Sequence, residues 1–309
     1  MRVWAALGAI YLIWGSTYLA IRLMVETVPP ALGAGARFVL AGALMLGLLA
    51  ARRGGPRALR IPRTQLLWCV VVGTLLAAGG NGLVTVAERD VPSGLAALLI
   101  ASEPLWIVLL RSTRGDRVAG ATLGGVALGF AGVGILLLPG GHPDDVPIGM
   151  ALLIVVAAVS WALGSFVQSR VDVPKDPLTS TAWSLFSGGL VLVAGGLIAG
   201  EAGDVDVGAF STKSIVAFFY LVVIGSIVAF SAYSWLLTNA PISKVSTYAY
   251  VNPVIAVALG AVFLSEDVAV ATLAGMVLVI ASVAVIVRRE SSELHEATDS
   301  ATVPVSSRN

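Results

Sequence analysis

Apolar residues run along this chain in long blocks with no alternation between two faces. Ten blocks stand out, near 3–24, 31–51, 65–87, 93–111, 118–139, 148–170, 177–199, 214–238, 242–264 and 267–287. A helix that crosses ~30 Å of hydrocarbon at 1.5 Å per residue needs about 20 mostly apolar residues, the length of these blocks. Strands of a membrane barrel would alternate over about ten residues, a pattern the blocks lack. Turn-forming residues punctuate them: Pro29-Pro30, Arg52-Arg53-Gly54-Gly55-Pro56, Asp90-Val91-Pro92, Pro139-Gly140-Gly141, Pro174, Ala240-Pro241 and Glu266-Asp267. The first block follows Arg2, yet it is too long and too rich in Trp and Tyr for a signal peptide, and it lacks a small-residue cleavage site. It reads as a retained span. The predicted fold is therefore an all-α polytopic membrane protein of ten transmembrane helices. A polar stretch over 288–309, rich in Ser, Glu and Thr, reads as a disordered tail.

Composition agrees. The chain of 309 residues is 57% hydrophobic and 12% charged, about half the ~25% charge of a soluble chain. A net charge of +1 leaves no basic face for nucleic acid. The single Cys69 excludes an internal disulfide framework and a thiolate metal cluster, and His142 and His295 are too few for a histidine metal site. No catalytic constellation, metal or cofactor is predicted. Most of the nineteen basic residues fall in loops on the side of the N-terminus; Arg22, Arg89 and Lys213 fall on the other, and Arg37 lies inside a span. The opposite loops carry the acids Glu26, Glu88, Asp90, Asp144, Asp145, Glu201, Asp204, Asp206, Glu266 and Asp267. This asymmetry predicts a multi-pass protein of the cell (inner) membrane with both termini cytoplasmic, and an even number of spans fits that.

The chain is also written twice. Pro92 and Pro104 in the fourth span recur as Pro241 and Pro253 in the ninth at an offset of 149, and Ala121-Thr122-Leu123-Gly124-Gly125 recurs as Ala271-Thr272-Leu273-Ala274-Gly275 at 150. Pro30 and Gly42 match Pro177 and Gly189 at 147, and Trp14 matches Trp161 at the same offset. The two copies predicted are 3–139 and 148–287. Five spans per copy invert the second copy in the membrane, which gives two related openings of similar energy, as alternating access requires.

Several stretches carry a family resemblance: Trp14-Gly15-Ser16-Thr17-Tyr18-Leu19-Ala20-Ile21-Arg22, Arg37-Phe38 with Ala41-Gly42, Val84-Thr85-Val86-Ala87-Glu88 before Val91-Pro92-Ser93-Gly94, and Tyr248-Ala249-Tyr250-Val251-Asn252-Pro253. Over roughly residues 3–287 the chain resembles the EamA family of the drug/metabolite transporter (DMT) superfamily, with its YedA-type inner-membrane permeases as the nearest branch. The resemblance implies a ten-helix secondary carrier of small metabolites, amino acids or related amphiphilic compounds, usually an exporter. These motifs specify the family far better than the substrate. No Walker-type phosphate loop is present, in keeping with transport without ATP.

The charges left in the membrane are the candidate chemistry. Glu103 lies near the middle of the fourth span, where a carboxylate costs ~2.5–3.5 kcal/mol to insert. It is a candidate proton-coupling site or an anchor for a substrate amine; a hydrogen bond between helices or a buried Arg partner is the ordinary alternative. The resemblance does not require an acid there. Arg37 lies six residues into the second span, ~9 Å below the interface. Pairing with Glu26 or Glu88 is its preferred reading, against binding a substrate carboxylate or snorkelling to the interface. Asn252 takes the place of Glu103 in the second copy, each before a proline that frees a carbonyl, of Ile100 and of Tyr248–Ala249. Trp14, Tyr18, Trp106, Trp161, Tyr233, Tyr248 and Tyr250 are candidate cavity aromatics for apolar or cationic solutes, with packing as the competing role. Trp106, three residues from Glu103, is expected on the same helix face. Ser16, Thr17 and Asn81 add polar groups to the cavity set or serve as glue between helices. Gly120/Gly124 and Gly125/Gly129 in the fifth span allow close helix approach and permit a homodimer.

Together these features predict a secondary transporter whose partners are a small-molecule substrate, protons and the lipid bilayer. A channel-like facilitator is the nearest alternative. A membrane-embedded lipid enzyme would need clustered acids or a set of phosphate-binding arginines, and a scaffold has no need of an inverted repeat.

Overall fold

The computed structural model describes residues 2–113, 115, 120–138, 143, 145–240, 245 and 247–302, without the side chains of 234, 237, 238 and 290–302. Ten helical stretches follow one another and no strand occurs among the described residues. They are α1 (Arg2–Met24), α2 (Pro30–Arg52), α3 (Arg63–Ala87), α4 (Ser93–Ser112), α5 (Gly120–Leu137), α6 (Ile148–Gln168) and α7 (Pro177–Ile198). After these come α8 (Thr212–Tyr220, Leu221–Val228 and Ala229–Asn239), α9 (Tyr248–Leu264) and α10 (Val270–Thr302). Nine are long and apolar enough to cross a membrane, and α9 is a shorter apolar helix.

The boundaries fall within a few residues of the hydropathy blocks, with two differences. In the ninth block, expected from 242, the helix described is Tyr248–Leu264; residues 241–244 and 246 lie outside the described residues, as do 114, 116–119, 139–142 and 144. These include Pro139, Gly140, Gly141, His142, Asp144 and Pro241 named above. At the other end α10 continues to Thr302, through much of the stretch read as a tail; 303–309 lie outside the described residues.

Local irregularities follow from the sequence. Pro104 cannot donate to the carbonyl of Ile100, and α4 breaks there into Ser93–Ile100 and Glu103–Ser112. Pro253 is accommodated inside an unbroken α9. Thr74–Gly82 in α3 and Leu221–Val228 in α8 are π-helical, and the two segments begin 147 residues apart.

Helix starts divide by their caps. Asp176 caps α7 by accepting from the Thr179 amide at 2.9 Å, the ordinary device for satisfying orphan N–H groups. By contrast α2 and α4 start behind Pro29 and Pro92, which supply no side-chain cap. Their amides are met from far along the chain. Glu201 accepts from Ala31 and Leu32 (3.1 and 2.8 Å), and Glu266 accepts from Ser93 and Gly94 (2.7 and 3.1 Å).

Packing is most extensive between α2 and α7, then between α5 and α10 and between α3 and both α6 and α7; α1 lies on α8 and α9, α6 also on α4, and α4 on α9. Small residues set the approach, as expected where hydrocarbon surrounds the helices and dispersion must hold them. A Cβ on Gly42 would stand 2.6 Å from the Phe186 nitrogen, and one on Gly189 2.6 Å from the Val39 nitrogen, so α2 and α7 meet backbone to backbone. In α5, Gly125 and Gly129 face α10, while Gly120 and Gly124 face open space.

Candidate functional site

A cavity of about 730 Å³ occupies the centre of the bundle, lined among others by Trp14, Thr17, Tyr18, Arg37, Asn81, Glu103, Trp161, Tyr248 and Asn252. A second, of about 890 Å³, shares Trp14, Asn81, Trp161, Phe230 and Tyr248 with it and runs toward the N-terminal face by Gln168, Pro177 and Thr181. Glu103, Tyr233 and Tyr248 also border a third space that reaches Val287. Every helix except α5 contributes to this set of walls.

The irregular backbone shapes the walls. Gly80 sits on the π-helical part of α3, where a Cβ would press 2.6 Å from the Trp161 ring. That bare backbone lets α6 bring Trp161 to the cavity. Asn81 follows it on the same segment and lines both cavities. A widened turn of this kind often marks functional sites. On the other side Trp14 stacks edgewise with Phe230 and Tyr248 (5.6 and 5.0 Å) and lies 5.2 Å from Tyr233. The break before Pro104 delivers Glu103 to the first turn of the second α4 segment. Its carboxylate is within electrostatic reach of the Tyr18, Tyr233 and Tyr248 hydroxyls, and no cation pairs with it among the described residues. Asn252 is buried, and its side-chain nitrogen donates to the Tyr11 and Tyr248 carbonyls at 3.3 Å each, tying α9 to α1 in the turn before Pro253.

Of the residues expected from sequence, Trp14, Thr17, Tyr18, Asn81, Glu103, Trp161, Tyr233, Tyr248 and Asn252 line the cavities. The Thr17 hydroxyl is occupied by the Trp14 carbonyl at 2.7 Å. Three lie elsewhere. Ser16 bonds the Ile13 carbonyl and the Tyr220 hydroxyl, joining α1 to α8. Trp106 turns to α5, 4.8 Å from Phe130, with its indole N–H on Ser102 at 3.3 Å. Tyr250 packs against the apolar cluster around Leu95 and Val133.

Arg37 does not snorkel: it is 3% exposed. Its Nε donates to Ser226 on the π-helical part of α8 at 3.2 Å, and its Cζ lies 4.6 Å from the Phe38 ring centre. Neither acid proposed as its partner forms an ion pair with it. Glu26 is taken by Lys213 at 3.3 Å. Glu88, expected in an exposed loop, is instead fully buried with both carboxylate oxygens unpartnered, within electrostatic reach of Arg37, Arg22 and Glu266. The chain turns inward at the end of α3, and that burial was invisible to a reading based on loop position.

The face opposite the N-terminus is tied across the molecule. Besides Glu201 and Glu266, Arg22 donates to the Glu88 and Arg89 carbonyls, and Ser214 donates to the Leu23 carbonyl at 2.7 Å. At the N-terminal face Arg53 pairs with Asp176 at 2.7 Å. The Asp176 carboxyl lies below its ordinary range: burial raises it, but hydrogen bonds from Thr179 and Arg53, together with the Arg53 charge, outweigh burial.

Comparison with known proteins places this geometry in a family. The EamA-like transporter family matches residues 3–138 and 148–288. The inner membrane transporter YedA of Escherichia coli is 40% identical over 261 residues, 84% of this chain and 82% of its own. A probable amino-acid metabolite efflux pump of Salmonella typhimurium is 24% identical, over 88% of this chain and 90% of its own. One solved crystal structure superposes with a TM-score of 0.62 at 21% identity, covering 92% of this chain and 96% of that one, which speaks to the fold alone. The names of these relatives point to transport across a membrane and not to catalysis. The chain is a multi-pass membrane protein and belongs to the EamA-like transporter family.

Proposed function

We propose that this chain is a secondary-active exporter of small metabolites, amino acids or related amphiphilic compounds. In this reading ten helices form two five-helix halves in inverted orientation, with both termini cytoplasmic, and the halves rock about the central cavity. The observation that carries it is a cavity bordered by residues of both sequence copies, with contacts between the copies tying one face and the lining leading toward the other.

The packing pattern supports the repeat. Exchanging each helix for the one five places along turns the α1–α9 contact into α6–α4 and α1–α8 into α6–α3, and leaves α2–α7, α4–α9 and α5–α10 unchanged; all of these contacts occur. The two π-helical segments, 147 residues apart, fall under the same rule. Similar halves that exchange environments give two openings of comparable energy, which is the physical requirement for alternating access. Export of amino-acid-like solutes is favoured by the efflux pump among the relatives.

Glu103 carries the coupling proton in this scheme. It is the cavity acid without a cationic partner among the described residues, and a carboxylate kept at that depth is costly unless it is used.

Purified protein in proteoliposomes, offered radiolabelled amino acids and hydrophobic amines with and without an imposed pH gradient, tests both parts. Flux no faster than in empty vesicles for every solute would overturn the carrier reading. Glu103→Gln is expected to abolish the dependence of flux on the pH gradient; an unchanged dependence removes Glu103 from the coupling role.

A further inference from the structure

Arg37 is a poorly satisfied group in the cavity wall. A guanidinium offers five N–H donors in a rigid fork, yet one hydrogen bond is found among the described residues, from Nε to Ser226. Nη1 is sealed from solvent without a partner. Buried donors left unmade are expensive, and such a group in a native fold asks for an explanation.

Three features surround the fork. Glu88 is a buried acid within electrostatic reach whose oxygens make no hydrogen bond of their own. Beneath it lies the Phe38 ring. On the cavity side the wall is bare: Gly225 lines the cavity, and a methyl group there would stand 3.6 Å from Nη2 and 3.2 Å from the Thr17 methyl. Beyond that gap the lining is aromatic, with Trp14, Trp161 and Phe230.

We propose that Arg37 seats the carboxylate of an amphiphilic solute, which fills the gap beside Gly225 and lays its apolar body against Trp14, Trp161 and Phe230. The fork matches the two oxygens of a carboxylate, and a turn of the guanidinium would bring the sealed Nη1 to the cavity with Nη2. Glu88 is the acid within electrostatic reach of this seat, and wherever it is ionised an arriving anion competes with it. The seat rests on the carrier reading only in calling that solute the substrate; as a binding site it stands on the geometry above.

The test compares matched solutes on the full chain in lipid nanodiscs by calorimetry: 3-phenylpropionate, 3-phenylpropionamide and 3-phenylpropylamine, then hexanoate, hexanamide and hexylamine. Each acid is expected to bind about tenfold or more tighter than its amide, the scale of hydrogen bonds to charged groups. Arg37→Gln should erase the preference and Gly225→Ala should weaken the acid while sparing the amide. Glu88→Gln should tighten the acid, because the seat loses its internal competitor, whereas a purely structural Arg37–Glu88 interaction predicts no gain. The comparison within the wild type and Gly225→Ala keep the test decisive if Arg37→Gln fails to fold. Equal affinity of acid and amide for both bodies overturns the proposal, as does a parallel change of both in Glu88→Gln. Acid preference without flux in proteoliposomes would sink the carrier reading and leave the seat standing; flux without acid preference does the reverse.

Discussion

Glu266 holds the start of α4 from across the molecule, so its removal should open the face opposite the N-terminus. The carboxylate accepts from Ser93 at 2.7 Å and Gly94 at 3.1 Å, at a helix start with no cap of its own. Hydrogen bonds to a charged acceptor are each worth ~1.5–3 kcal/mol, less where water can take over, and Glu266 is half-exposed, so Glu266→Ala should forfeit about 2 kcal/mol and Glu266→Gln about 1. At 1.36 kcal/mol per decade, the ratio of open to closed at that face rises about thirtyfold and about fivefold. The assay uses a Cys69→Ser background, which removes the single native thiol, with Ile21→Cys at the cavity end nearest that face. Labelling by a membrane-impermeant maleimide, added on that side of oriented vesicles, should accelerate in the same order. Thr181→Cys, near the N-terminal mouth, should label more slowly from its own side, because population gained by one state is lost by the other. Ile21→Cys labelling within twofold of the parent in both Glu266 variants, with unchanged melting, would refute the argument.

Further outcomes follow from the same contacts. Gly189→Ala drives a methyl to 2.6 Å from the Val39 nitrogen and should lower the melting temperature of the solubilised protein markedly, while Gly124→Ala, with nothing near it, should be neutral or stabilising by up to ~1 kcal/mol. Equal effects would remove the α2–α7 backbone contact as a determinant. The Asp176 carboxyl is depressed in the fold, so its contribution is present above the ordinary carboxylate range and is lost as pH falls through its lowered folded value. Asp176→Asn should therefore flatten the acid limb of the melting-versus-pH curve, and parallel curves would contradict that sign. Because Arg53 and Asp176 are both more than a third exposed, screening keeps the effect small and salt should shrink it further.

What the sequence revealed depended on whether a local property decided the outcome. Hydrocarbon thickness and rise per residue fix span length, so most blocks end within a few residues of their helices, while α10 runs on past 287 to Thr302. The carbonyl freed by Pro104 was legible because proline lacks a donor, but not that α4 breaks there while α9 runs unbroken through Pro253. The π-helical segments were not legible, since Thr74–Gly82 and Leu221–Val228 differ from α-helix in bonding and not in apolar pattern. Trp14 and Trp106 look alike in sequence; the break at Ala101–Ser102 turns Trp106 onto Phe130, which periodicity through an unbroken helix misplaces. Glu88, Glu201 and Glu266 were counted as loop acids. Their roles depend on partners brought together by the fold, such as Ser93 for Glu266 at a separation of 173 residues, which no local pattern encodes.

The caps give the two faces different characters. At the N-terminal face α7 carries its own cap in Asp176, and Arg53 reinforces a start that would be satisfied without it. At the opposite face α2 and α4 have proline starts and borrow Glu201 and Glu266. Opening there costs contacts, but the orphan amides and the carboxylates released are polar groups at the surface, which water can serve in turn. The polar part of this closure thus contributes a few kcal/mol and no more, since its carboxylates and amides are nearly as well solvated when apart, while Ile21, Met24 and Val25 on Ala217 and Leu221 add an apolar part. On the carrier reading that small polar margin is functional. A face locked by buried apolar packing alone would stay shut, whereas one locked in part by carboxylates on backbone amides can be shifted by the modest binding energy of a solute reaching the cavity.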